Sequence, residues 1–174
     1  MLSIFKNSII KGRVTRVQKQ EGLILPEDAE KIGHELKSLI HKKFGRSFHI
    51  REVDTGSCGA CESEIIACSN PIYDIQRFGV DFVASPRHAD ALLVTGPVSK
   101  NMTVALKKTY GAMPQPKFVI SLGNCAADGW VFKNSYYTEG GVSNVLPVHL
   151  HIPGCPPEPF LIIKYLLAFL KQVK

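Results

Sequence analysis

Phe48-His-Ile-Arg-Glu-Val-Asp-Thr-Gly-Ser-Cys-Gly-Ala-Cys-Glu-Ser-Glu64 carries three local signals in succession. Phe48–Val53 predicts a strand. Gly56 to Cys61 predicts a loop, in which Gly56 and Gly59 permit positive φ and close backbone approach. A helix is predicted near Glu62–Ser69, and Asn70-Pro71 ends it because the residue before proline is driven out of the helical region. A strand, a glycine loop and a helix in that order open an α/β fold, and the rest of the chain repeats the pattern.

Downstream, Val80–Ala84 predicts a second strand and Ala91-Leu-Leu-Val-Thr95 a third, the latter apolar enough to be buried on both faces. Ser99 is expected to cap a helix running to about Tyr110. Lys117–Ser121 and Val145–Leu150 read as the fourth and fifth strands, and Pro157–Val173 as a closing helix. Alternating strands and helices imply a parallel sheet covered on both sides. The link from Ala84 to Ala91 is too short for a crossover helix. A single turn at Pro86-Arg-His-Ala serves if the first strand lies between the second and third. That is the flavodoxin-like order, in which ligands bind beyond the carboxyl ends of the strands.

Upstream, the chain is basic. Residues 1–20 read as a basic arm with scattered apolar positions, and Pro26–His41 as a helix with Ile32, Leu36, Leu39 and Ile40 on one face. The 174 residues divide into a basic N-terminal arm and helix, 1–47, and a flavodoxin-like domain, 48–174. Hydrophobic residues make up 45% of the chain, ordinary for a globular core, and the formal charge is +6. No recognition-helix motif or RNA-binding aromatic signature accompanies that charge, so nucleic acid is not expected as a partner. Phe160–Leu170 is too short to span a bilayer and contains Lys164, and no secretory leader is read at Met1. A soluble, cytoplasmic protein is expected.

Five cysteines in such a chain point to metal or redox chemistry. Cys58 and Cys61 form a Cys-Gly-Ala-Cys pair, Cys125 lies in Leu-Gly-Asn-Cys, and Cys155 in Pro-Gly-Cys-Pro-Pro. Each group follows a predicted strand, so the topology gathers the four thiols at one sheet end. Four thiolates suit zinc or a 4Fe–4S cluster. One pair and two distant singles fit a cluster better than the paired knuckles of structural zinc; a thiol redox pair at Cys58 and Cys61 is the third reading. Cys68 reads as a buried structural thiol. Glu62 and Glu64 favour the helix N-terminus, with proton relay beside a metal group as a second role. His149 and His151 suit packing, hydrogen bonding or tuning of a metal group rather than ligation. Arg87 and His88 would bring positive charge to a sheet end or form a surface ion pair.

Asp54–Glu64 resembles the proximal-cluster loop of nickel–iron hydrogenase small subunits. Arg77-Phe-Gly-Val, Ser85–Val98 and Ile152-Pro-Gly-Cys-Pro-Pro-Glu-Pro159 extend the likeness to the small subunit of energy-converting, membrane-bound hydrogenases, a group related to the B subunit of respiratory complex I. The resemblance runs from about Phe48 to the C-terminus. It implies a flavodoxin-like domain holding one 4Fe–4S cluster on Cys58, Cys61, Cys125 and Cys155. Complex I B subunits have adjacent cysteines in the first motif, whereas Gly59 and Ala60 separate them here, as in hydrogenases. The resemblance further implies electron transfer between a ferredoxin-like iron–sulfur subunit and a large, nickel–iron hydrogenase-like catalytic subunit. Integral membrane subunits would complete the complex, with this chain peripheral on the cytoplasmic face. An equivalent subunit of a quinone or sulfur-compound oxidoreductase is the alternative, and a zinc-stabilised interaction module is the alternative of another class.

Overall fold

The computed structural model describes residues 26–173; the basic arm expected over residues 1–20 lies outside the described residues. Five strands, β1 (Phe48–Asp54), β2 (Val80–Phe82), β3 (Ala91–Thr95), β4 (Phe118–Leu122) and β5 (Leu150–Ile152), form one parallel sheet. Their order is β2-β1-β3-β4-β5, the flavodoxin-like arrangement expected from the short link between β2 and β3. That link is a single 3-10 turn at Pro86–His88. The helices are α1 (Pro26–Phe44), α2 (Ala60–Cys68), α3 (Lys100–Ala112), the short α4 (Asn124–Asp128) and α5 (Pro159–Gln172). None among the described residues is long and apolar enough to cross a membrane.

The alternation of β3 sorts the core into two layers, because successive strand side chains point to opposite faces. Ala91 and Leu93 pack with Leu36 and Ile40 of α1, Ile65 of α2 and Ile162, Leu166 and Leu170 of α5. Leu92 and Val94 face the other way, toward Leu106 of α3, Met113, Val142 and Leu146. All five residues of β3 are buried, as its unbroken apolar run requires.

Helix α1 belongs to this same core: Leu36 is fully buried against the layer that contains the sheet. Lys171 and Glu35 pair at 2.7 Å between α5 and α1, and Arg77 and Glu30 at 2.8 Å. Both pairs are exposed and contribute little beside the apolar contact. Leu36→Ala is expected to lower the unfolding free energy by about 2–5 kcal/mol in urea titration, the usual cost of emptying a closed aliphatic site. A value under about 1 kcal/mol would mean that α1 is an appendage to the sheet domain.

Two local expectations are corrected. The last strand is Leu150–Ile152 rather than Val145–Leu150. Pro147 has no N–H to donate, Val145 and Leu146 donate to Val142 in a turn, and the His149 ring itself accepts from the Val119 N–H at 3.0 Å. An imidazole thus stands where a ladder carbonyl was expected. Ser99 precedes α3 but its hydroxyl makes no capping bond; its carbonyl instead receives the N–H of Met102 and Thr103.

Candidate metal centre

Cys58 and Cys61 follow β1, Cys125 lies in the first turn of α4 after β4, and Cys155 follows β5. All four line one cavity of about 280 Å³ beyond the carboxyl ends of the strands. The three loops that sequence order scatters are therefore one site in space, as the parallel topology dictates.

Each loop is fixed by backbone groups. Asp54 Oδ1 accepts from the N–H of Gly56 and Ser57 at 2.8 and 2.7 Å, bending the chain directly after β1. Thr55 is fully buried; its hydroxyl donates to the Thr95 carbonyl at 2.6 Å and accepts from the Val98 N–H at 3.1 Å. The first cysteine loop is thus clamped to the end of β3. The Asn124 N–H donates to the Gly154 carbonyl at 2.8 Å, and the Gly154 N–H to Asn124 Oδ1 at 3.1 Å. This reciprocal pair ties the Cys125 and Cys155 loops together. Gly123, at φ +85°, admits no side chain: a Cβ there would stand 2.8 Å from Cys61 Sγ. The cradle is shaped by the absence of that atom.

Cys58 and Cys155 are exposed, while Cys61 and Cys125 are half-buried. Burial, followed by Glu62 and the other three cysteines, pushes the Cys61 thiol up to about 12. Burial, then Cys155, Cys58 and Asp128, raises Cys125 as well. Cys61 and Cys125 are therefore unfavourable as free thiolates beside the other sulfurs, a penalty that a bound cation relieves. Among the described residues, no three cysteine, histidine or acidic side chains converge on a single-ion position. The four thiols ring one cavity, and such a donor set suits a metal group.

Glu62 extends from the cysteine helix with both carboxylate oxygens buried and, among the described residues, without a hydrogen-bond partner. Glu64 is half-buried on the same helix and does not line the cysteine cavity. The sequence reading overlooked Glu52. One of its oxygens is also buried and, among the described residues, unpartnered, and its carboxyl is raised by burial and then by Glu62. Its position on the face of β1 toward α2 was the available signal. Also overlooked were Trp130, Val131 and Phe132, which line the cavity yet are 50%, 73% and 47% exposed. His151 bonds Ser121 at 3.0 Å and His149 bonds the sheet backbone, so neither lines the cavity. Arg87 and His88 lie at the opposite end of the sheet.

Cys68 is fully buried, apart from the other four, with its thiol raised to about 12 by burial and then by Glu64. In metal-free protein at pH 8, iodoacetamide is expected to label Cys58 and Cys155 first and Cys68 only on unfolding, as peptide mass mapping would show. The free thiol ionises near 9.0 and the folded one near 12. The folded state therefore binds the proton more tightly, so Cys68 contributes its full stability below pH 9 and loses it as pH rises toward 12.

Residues 58–169 match the family model described as NADH ubiquinone oxidoreductase, 20 Kd subunit. A probable membrane-bound hydrogenase subunit of Pyrococcus furiosus is 44% identical over 76% of this chain and 79% of its own length. An NADH-quinone oxidoreductase subunit of Beutenbergia cavernae is 40% identical over 69% of this chain and 65% of its own. Among solved structures, a chain of the archaeal membrane-bound sulfane sulfur reductase superposes with a TM-score of 0.65 at 28% identity. That superposition covers 79% of this chain and 74% of the other.

Proposed function

This chain belongs to the family described as NADH ubiquinone oxidoreductase, 20 Kd subunit, and on that footing we propose that it is the electron-transfer subunit of a membrane-bound, hydrogenase-type oxidoreductase complex. It carries one 4Fe–4S cluster on Cys58, Cys61, Cys125 and Cys155. The observation that bears this reading is the convergence of four thiols from three loops on one cavity. When bound, the cluster supplies a site that accepts and releases single electrons. The residues around it hold the thiols in place through Thr55, Asn124 and Gly154, and the cavity wall is apolar on the side of Trp130–Phe132.

A structural zinc ion is less well served, because such sites usually draw on two paired cysteine motifs and this chain offers one pair and two distant singles. A thiol redox pair would use Cys58 and Cys61 and leave Cys125 and Cys155 without a role.

The partners of this reading are a large catalytic subunit, a ferredoxin-like subunit and integral membrane subunits, with this chain peripheral on the cytoplasmic face. The exposed segment Trp130–Phe132, with Tyr136 at 85% and Tyr137 at 50% exposure, gives the cysteine end an apolar rim of the kind that subunits bury. The relatives take part in hydrogenase, quinone and sulfur-reducing complexes, and the two-residue gap between Cys58 and Cys61 favours the hydrogenase branch. Purification of the intact complex tests the assignment. Nickel in the catalytic partner and hydrogen evolution from a low-potential donor are expected. A nickel-free complex that reduces sulfane sulfur or quinone instead would move the chain to the neighbouring branch.

A further inference from the structure

We infer that the end of the sheet remote from the cysteines is a second docking surface, built to receive an acidic segment of a partner subunit that seats an apolar side chain in a groove. This rests on the reading of the chain as a subunit of a larger complex. The groove, of about 770 Å³, is lined by Phe44, Pro116, Phe118, Phe169 and Val173, with Lys43 and His149 at its edge. It lies where α1 ends, β4 begins and α5 stops, the opposite pole from the cysteine cavity. At the same pole Arg46, His49, Arg87 and His88 surround a smaller cavity of about 270 Å³.

The charges at this pole are unbalanced. Asp90 is largely buried and fully engaged: it accepts two bonds from Arg46, at 2.8 and 2.7 Å, and one from the His49 N–H at 2.9 Å. Lys43 Nζ donates to the Val173 carbonyl, a neutral acceptor, and pairs with no acid among the described residues. Lys42 and Arg87 are exposed and have no acidic partner among the described residues. Among the described residues the other acid here is Asp81, opposite His49 across β1 and β2. A partner that brings carboxylates to Lys42, Lys43 and Arg87 gains complementary potential, and an apolar side chain in the groove supplies the dry centre of the interface.

A protein segment suits this surface better than a bilayer. Interfacial binding needs apolar side chains that project into the lipid. None of the segments that form the groove or carry these cations bears a large exposed apolar side chain, and the apolar surface here is concave. It receives a side chain; it has none to insert.

A photoreactive benzoylphenylalanine at Gln172, an exposed position on the groove, tests this in the intact complex. Ultraviolet irradiation and peptide mass spectrometry are expected to find it joined to an Asp- or Glu-rich segment of another subunit. Lys42→Glu with Arg87→Glu should lower that yield severalfold, while Lys100→Glu, a charge reversal at the cysteine pole, leaves it unchanged. Crosslinks to lipid or to this chain's own residues 1–25, no crosslink at all, or a yield indifferent to Lys42 and Arg87 would each overturn the inference. Iron content is read in the same samples. A correctly joined chain without iron would refute the cluster assignment and leave this surface standing.

Discussion

Serine in place of Cys58, Cys61, Cys125 or Cys155 is expected to strip the iron from this protein, while Cys68→Ser keeps it. The four cavity thiols come from three loops, so each replacement removes one ligand without disturbing the sheet. Changes one shell outside a metal site already cost about 10–100-fold in affinity, and loss of a ligand should cost at least as much. Iron and acid-labile sulfide per chain, with the visible absorbance, provide the measurement. The four variants should behave alike even though Cys58 and Cys155 are exposed and Cys61 and Cys125 half-buried. A zinc or dithiol site would break that equivalence: a redox pair at Cys58 and Cys61 would tolerate serine at Cys125 and Cys155. Cys68, buried against α5 with its thiol 4.0 Å from the Pro159 carbonyl, serves as the internal control.

Gly123→Ala is the second large effect expected, and it separates the cradle from the ligands. The new Cβ would lie 2.8 Å from Cys61 Sγ and 3.4 Å from the Gly154 carbonyl oxygen. Cys61 cannot retreat easily, because α2 behind it is packed through Ile65 and Cys68 into the core. The sulfur must swing away from the cavity, and iron occupancy should fall to a small fraction of wild type with the helical circular dichroism preserved. Gly45→Ala is the comparison for positive φ without the close approach. Gly45 also has positive φ, +65°, but nothing stands within 4 Å of its added Cβ. That variant should show only the backbone cost of about 1–2 kcal/mol and full iron content. Equal iron in both variants would mean that Gly123 is present for its turn alone.

Much of this arrangement is legible in the residues themselves. The apolar run of β3 fixes a buried central strand, and the short Ala84–Ala91 link forces β1 between β2 and β3 because no crossover helix fits. Once that order is set, the cysteine groups must meet at the carboxyl ends. What escaped the residue pattern depends on side chains replacing backbone. The true start of β5 is hidden because Pro147 cannot donate and the His149 ring occupies a ladder position. Glu52 reads as an ordinary polar strand residue until α2 folds over it and brings Glu62 alongside. The rim at Trp130–Phe132 is a local apolar run that strand or helix patterns interpret as core, yet it follows the left-handed turn at Gly129, closes back on Lys133 and stays at the surface.

Four cysteines from three loops are proposed to hold one iron–sulfur cluster. Iron and sulfide analysis of the anaerobically isolated protein, paired with electron paramagnetic resonance after dithionite reduction, decides between that cluster and a zinc ion. About four irons and four sulfides per chain are expected, with the signal of a reduced one-electron centre. One zinc per chain and no signal on reduction would contradict it.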